Sequence, residues 1–199
     1  MIVIKTPEQL EKMARAGRVL AEVIREMGEE IRPGVSLKHL DDMAERSMRL
    51  RGAVPSFLGY RGFPASICAS PNEMVVHGIP DERRLKEGDI FSADFGVILD
   101  GWHADSAYTF PVGKVSDEAR RLLEVTQAAL AAGIGCCRPG RRLGDIGNAI
   151  QRVIEDAGLS VVREFVGHGI GRSMHEDPQV PNYGKAGVGP VLELSLIHI

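Results

Sequence analysis

The 199 residues include 24 basic and 27 acidic side chains, giving a formal charge of -3, and 44% are hydrophobic. That is enough apolar material for one sizeable domain or two half-domains, and there is no basic excess to suggest nucleic acid as a specific partner. Cys68, Cys136 and Cys137 are odd in number and include an adjacent pair that closes no unstrained disulfide, so a reducing compartment is expected.

The first residues, Met1 to Glu8, show no basic segment, apolar core or small-residue cleavage site. Charges or glycines interrupt every apolar run before the roughly 20 residues that span a bilayer. A cytoplasmic protein with no membrane partner is the expectation.

Thr6-Pro7-Glu8-Gln9 has the logic of a helix start, with Thr6 as N-cap, Pro7 at the first position and Gln9 at the third. Leu10, Met13, Val19, Leu20, Val23, Ile24 and Met27 follow at helical spacing, and Arg32-Pro33-Gly34 ends the segment. Ser36 opens a second helix with Leu37, Leu40, Met43, Ala44 and Met48 on one face, closed by Arg51-Gly52. Extended chain is expected at Ser66 to Ser70, Ile90 to Leu99 and Trp102 to Val112.

Sliding the sequence on itself by 106 positions puts Pro33-Gly34 on Pro139-Gly140, Leu37 on Leu143, Leu40 on Ile146 and Gly52 on Gly158. This suggests two related α+β halves of one domain, about 1–112 and 113–193, with a new helix beginning at Ser116-Asp117-Glu118. Chance recurrence of Arg-Pro-Gly between helices is the alternative.

The chemistry begins at Asp100-Gly101, which joins two β-rich runs and signals a two-residue type I′ hairpin. If so, opposed residues have numbers that sum to 201. Asp94 then faces Ala107, and Asp105 shares its face one diagonal step away, about 7 Å between backbones. An unpaired carboxylate on the apolar strand Phe91 to Val97 would cost several kcal/mol, so a cation is expected between the two aspartates. An arginine or a set of backbone amides would satisfy either aspartate taken alone.

A second cluster, Gly167-His168-Gly169-Ile170-Gly171-Arg172-Ser173-Met174-His175, presents two histidines from extended or turning chain, because alternate glycines exclude an ordinary helix. A mixed histidine and aspartate site suits a transition metal. Asn72 to Pro80 delivers a third histidine, His77, at a strand end. His39, His103 and His198 lack such context and are read as surface or structural, although His103 lies on the hairpin.

These residues resemble those of type I methionine aminopeptidases, over about residues 3 to 193. The resemblance rests on Asn72 to Pro80, the Asp94 to Asp105 hairpin, Gly167 to Arg172 and His175-Glu176-Asp177-Pro178. It implies a pita-bread fold of the α+β class, two pseudosymmetric α/β halves around a site for two divalent ions (cobalt, manganese, iron or zinc). Asp94, Asp105 and His168 correspond to metal ligands, with Asp105 bridging. His77 and His175 correspond to catalytic, substrate-touching residues, His175 stabilising the tetrahedral intermediate. Tyr60, Phe63, Cys68 and Met174 match the positions that line the methionine pocket, with Phe57 at its rim.

The implied reaction is hydrolytic removal of the initiator methionine through a metal-bound hydroxide. The implied partners are nascent polypeptides with a small second residue, met in transient proximity to the ribosome by a monomer.

Two departures qualify the resemblance. Met174 stands where the family usually has phenylalanine, which makes a softer wall. After Val191-Leu192-Glu193 the family continues to two glutamate ligands, one of them the base, whereas residues 194–199 read as a non-native tail. The last strands and those ligands are therefore expected to be missing, and this chain alone to bind metal weakly and turn over slowly. The alternatives are a proline-directed peptidase of the same fold and a non-catalytic binding protein, although the latter would have no need of Asp94, Asp105 and His168.

Overall fold

A computed structural model describes residues 2–193. The reading of 194–199 as a non-native tail, and that of His198, fall outside the described residues. The chain divides into two compact units. One comprises Glu11–Arg120 with Gly171–Met174, and the other takes in residues 2–10, 121–170 and 175–193 of the described chain.

The first unit is a four-stranded antiparallel sheet with a helical core on one face. Helix α1 (Pro7–Glu30) starts in the second unit by the expected capping box: the Gln9 amide N–H donates to Thr6 Oγ1 at 3.3 Å and the Thr6 N–H to Gln9 Oε1 at 3.0 Å. It buries Ala16, Leu20, Val23 and Met27. Helix α2 (Leu37–Leu50) is capped by Ser36, whose side chain accepts the His39 N–H, and buries Leu37, Leu40, Ala44 and Met48.

Strand β3 (Ile90–Leu99) is the centre of the sheet. β1 (Val54–Pro55) and β2 (Ile67–Pro71) pair with successive stretches of one edge, and β4 (Trp102–Pro111) runs along the other. Phe91, Ala93, Phe95, Val97 and Leu99 alternate into a core shared with α1 and α2. The opposite face carries Ser92, Asp94 and Gly96. Period-two alternation therefore puts Phe91, Ala93, Phe95, Val97 and Leu99 on the helix side and the carboxylate on the other, with half-buried Ile90 and Ile98 at the two ends of its row.

The hairpin register is the expected one: Leu99 pairs with Trp102, Asp94 with Ala107 and Gly96 with Asp105. Asp100 and Gly101 have φ of 53° and 76°, as a type I′ turn requires. One contributor that sequence patterning did not reveal is Asp41 of α2, which is buried. Its Oδ1 accepts the Ser66 and Ile67 N–H groups at 2.8 and 3.1 Å, pinning the start of β2.

The second unit contains most of α3 (Asp117–Cys136), all of α4 (Leu143–Asp156) and a two-stranded ribbon of β5 (Gly167–Gly169) and β6 (Glu176–Val180). Its core is Ala129, Ile146, Ile150 and Leu192, with Leu143, Val153, Ile154 and Val180 partly buried around them. At the shift of 106 the local structures correspond. α2 and α4 are both 14 residues long, preceded by Gly34 and Gly140 (φ 91° and 85°) and followed by Gly52 and Gly158 (φ 73° and 74°). Helix α3 is shared between the units, its residues up to Arg120 belonging to the first. Among the described residues no helix is long and apolar enough to cross a membrane.

Candidate functional site

Asp94 and Asp105 project from the open face of the β3–β4 hairpin. Ser92 and Thr109, hydroxyls 2.8 Å apart on the same face, mark the row in which they stand. Burial, the neighbouring Asp94 charge and a hydrogen bond with Asp94 push the Asp105 carboxyl up to about 7. Two carboxylates this close cannot both be ionised cheaply without a cation, and the pair holds a proton near neutrality in its place.

Cys68 on β2 is the direct partner of Asp94 across the strands. Burial first, and then the charges of Asp94 and Asp105, raise its thiol to about 12, so it stands beside the pair as a neutral, soft wall. Among the described residues no three His, Cys, Asp or Glu side chains form a group that could hold a metal ion. The carboxylate pair is what the first unit brings together, and its donor set suits a divalent cation.

The same unit gathers the other side chains expected around a methionine. Phe57, Cys68 and Met174 are buried in one cluster, with Tyr60 and Phe63 packed against it. Phe57 and Phe63 meet edge to face at 6.4 Å.

His77 sits not at a strand end, as the sequence suggested, but on irregular chain after the Asn72-Glu73 turn, exposed and with φ 60°. Gly78 fixes it to β2, donating its N–H to Ser70 Oγ at 3.1 Å and accepting the Ala69 N–H at 2.8 Å. A Cβ on Gly78 would lie 2.0 Å from the Ala69 oxygen, so only glycine allows this approach. His103 is partly buried, its Nδ1 3.0 Å from Ser56 Oγ.

In the second unit His168 stands on β5 opposite Gln179 of β6. Its Nδ1 lies 2.9 Å from the Gly169 carbonyl, so Nδ1–H donates there and the lone pair resides on Nε2. The His175 ring lies 4.2 Å away, centroid to centroid. A Cβ on Gly169 would come within 2.4 Å of the Asp177 oxygen, which explains a glycine beside this histidine.

Next to His175, Glu176 is bound by Lys5 at 2.6 Å, a largely buried ion pair (side chains 8% and 14% exposed) between residues 171 positions apart. Sequence reasoning missed this pair, since nothing local to either residue announces so distant a partner. It also passed over Arg172, whose guanidinium lies over the Trp102 ring.

This sheet and helix arrangement, with carboxylates paired on the central hairpin, is that of the pita-bread metallopeptidases. The chain belongs to the methionine aminopeptidases of metallopeptidase family M24, whose family model matches residues 11–195. Methionine aminopeptidase 1 of Bacillus subtilis is 51% identical over 197 residues, 99% of this chain and 79% of the relative. The crystal structure of methionine aminopeptidase from Rickettsia prowazekii superposes with a TM-score of 0.96 at 43% identity, over 98% of this chain and 79% of that one. Prolidase from Pyrococcus furiosus shares the fold, with a TM-score of 0.83, but only 22% identity, over 98% of this chain and 55% of its own length.

Proposed function

We propose that the chain removes the N-terminal methionine from polypeptides by metal-dependent hydrolysis, with Asp94, Asp105 and His168 as protein ligands of divalent ions. The observation that carries this reading is the Asp94–Asp105 pair, two carboxylates aligned on one rigid face where burial and the Asp94 charge oppose ionisation of Asp105. The mixed oxygen and nitrogen donors favour iron, cobalt, manganese or zinc, and two ions are proposed. Such ions, when bound, activate water near neutral pH and polarise the scissile carbonyl.

The side chains divide the remaining work. Asp94 and Asp105 would hold the cation with their carboxylate oxygens, and binding there would favour loss of the proton from Asp105. The Nδ1–H bond of His168 to the Gly169 carbonyl orients the ring and presents Nε2. His77 and His175 are the proposed catalytic, substrate-touching imidazoles. Tyr60, Phe63, Cys68 and Met174, with Phe57, receive the methionine side chain, where aromatic edges and two further sulfurs suit a thioether. The proposed substrates are nascent chains with a small second residue, met in the cytoplasm and close to the ribosome by a monomeric enzyme. A proline-directed activity is less favoured, because the likeness to prolidase extends to the fold alone.

The test is release of methionine from a Met-Ala-Ser peptide with added manganese or cobalt. Metal-dependent release, however slow, that Asp105→Asn abolishes is the expected result. Equal release by the variant, or none with any metal, would overturn the reading.

A further inference from the structure

Gly171–Met174 belongs to the first unit, yet the nearest residue of that unit along the chain is Arg120. Its placement therefore depends on non-covalent contacts. One end is fixed by the backbone: the His103 N–H donates to the Gly171 carbonyl at 2.8 Å, and the Gly171 N–H turns back to the Ser173 carbonyl at 3.1 Å. At the other end Met174 is 4% exposed, seated against Phe57 and Cys68. Between them Arg172 reaches back to the hairpin tip, where its guanidinium carbon lies 4.9 Å from the Trp102 ring centroid. A Cβ on Gly101 would stand 3.6 Å from the same guanidinium.

Trp102 is 2% exposed, and its indole N–H has no hydrogen-bond partner among the described residues. A buried indole normally satisfies that donor. What Trp102 contributes instead is its π face, which Arg172 covers in cation–π geometry.

We propose that Trp102 and Arg172 act as a specificity-positioning pair, setting where Met174 closes the pocket that receives the substrate's first side chain. This rests on the assignment of Phe57, Tyr60, Phe63, Cys68 and Met174 to that pocket. With the contact intact, the wall is held in one place and a straight thioether is distinguished from a branched side chain. With it broken, the backbone anchor at Gly171 remains but the flexible Met174 side chain loses its register, so binding and discrimination suffer while the chemical step does not.

The test compares Trp102→Leu, Trp102→Phe and Arg172→Gln with the unaltered protein on Met-Ala-Ser and Leu-Ala-Ser peptides, with thermal midpoints measured alongside. Trp102→Leu and Arg172→Gln should raise KM for the methionine peptide by about threefold, the scale of an exposed cation–π contact, and narrow the preference over leucine at constant kcat. Trp102→Phe keeps a π face and should restore both. The emission of Trp102, the single tryptophan, should differ between the unaltered protein and Arg172→Gln.

Arg172 is exposed, so its variant keeps the test valid even if Trp102→Leu does not fold. An unchanged methionine-to-leucine ratio in Arg172→Gln, or a Trp102→Phe as impaired as Trp102→Leu, would overturn the proposal while leaving the activity standing. Failure of the unaltered protein to release methionine would instead overturn the pocket assignment and this inference with it.

Discussion

Asp94 stands on the central strand of a sheet backed by α1 and α2 and Asp105 on the strand beside it, whereas His168 and His175 stand on a three-residue strand and the turn before its partner. Among the described residues the first unit's main core has twenty buried apolar side chains and the second unit's has four. The carboxylates are held by a regular ladder and a deep core, so many interactions share the task. The histidines are held by a short ribbon, a close approach at Gly169 and one buried ion pair, so single changes there should act locally.

The largest effect should come from the deep core. Phe95→Ala removes a fully buried ring and is expected to cost about 4 kcal/mol, read by denaturant unfolding. Ile150→Val in the smaller core should cost about 1 kcal/mol by the same measurement. Equal losses would show that the two cores are not as different as their burial suggests.

Lys5→Met should come next, at about 3 kcal/mol, because it breaks a largely buried ion pair by removing one partner. Adding Glu176→Gln should recover much of the loss, and additive losses in the double variant would mean that the pair is not coupled.

Asp105 predicts a smaller, pH-dependent effect in metal-free protein. Its folded value of about 7 lies above the ordinary aspartate value. The group therefore contributes stability that is fully present below about pH 4 and lost as pH rises through about 7. Thermal midpoints in chelator should fall over that window by an amount equivalent to roughly 1–2 kcal/mol, and Asp105→Asn should flatten the profile. The smallest expected effect, about 1 kcal/mol, is that of Gly101→Ala at φ 76°, measured by thermal unfolding.

The same contrast governs what the sequence revealed. The Thr6–Gln9 capping box, the Ser36 cap and the whole β3–β4 register were legible because each is set by residues within a few positions of one another. Asp100-Gly101 permits one tight turn, and strand alternation then decides which side chains share a face. The pocket residues were found by resemblance, and the structure gathers Phe57, Tyr60, Phe63, Cys68 and Met174 into one cluster. Lys5–Glu176, Arg172–Trp102 and the buried Asp41 were not legible, since each depends on tertiary contact between distant segments. His77 was expected at a strand end, whereas its conformation is set by the approach of Gly78 to β2, a contact between segments that the local sequence does not announce.

The central claim, that the Asp94–Asp105 pair is a metal platform, is tested most directly by calorimetric titration of manganese near pH 6.5 in buffers of different ionisation enthalpy. Binding that releases a proton, and that is lost in Asp105→Asn, is the predicted result, because the cation takes the place of the proton the pair shares. Binding without proton release, or binding that survives the substitution unchanged, would contradict it.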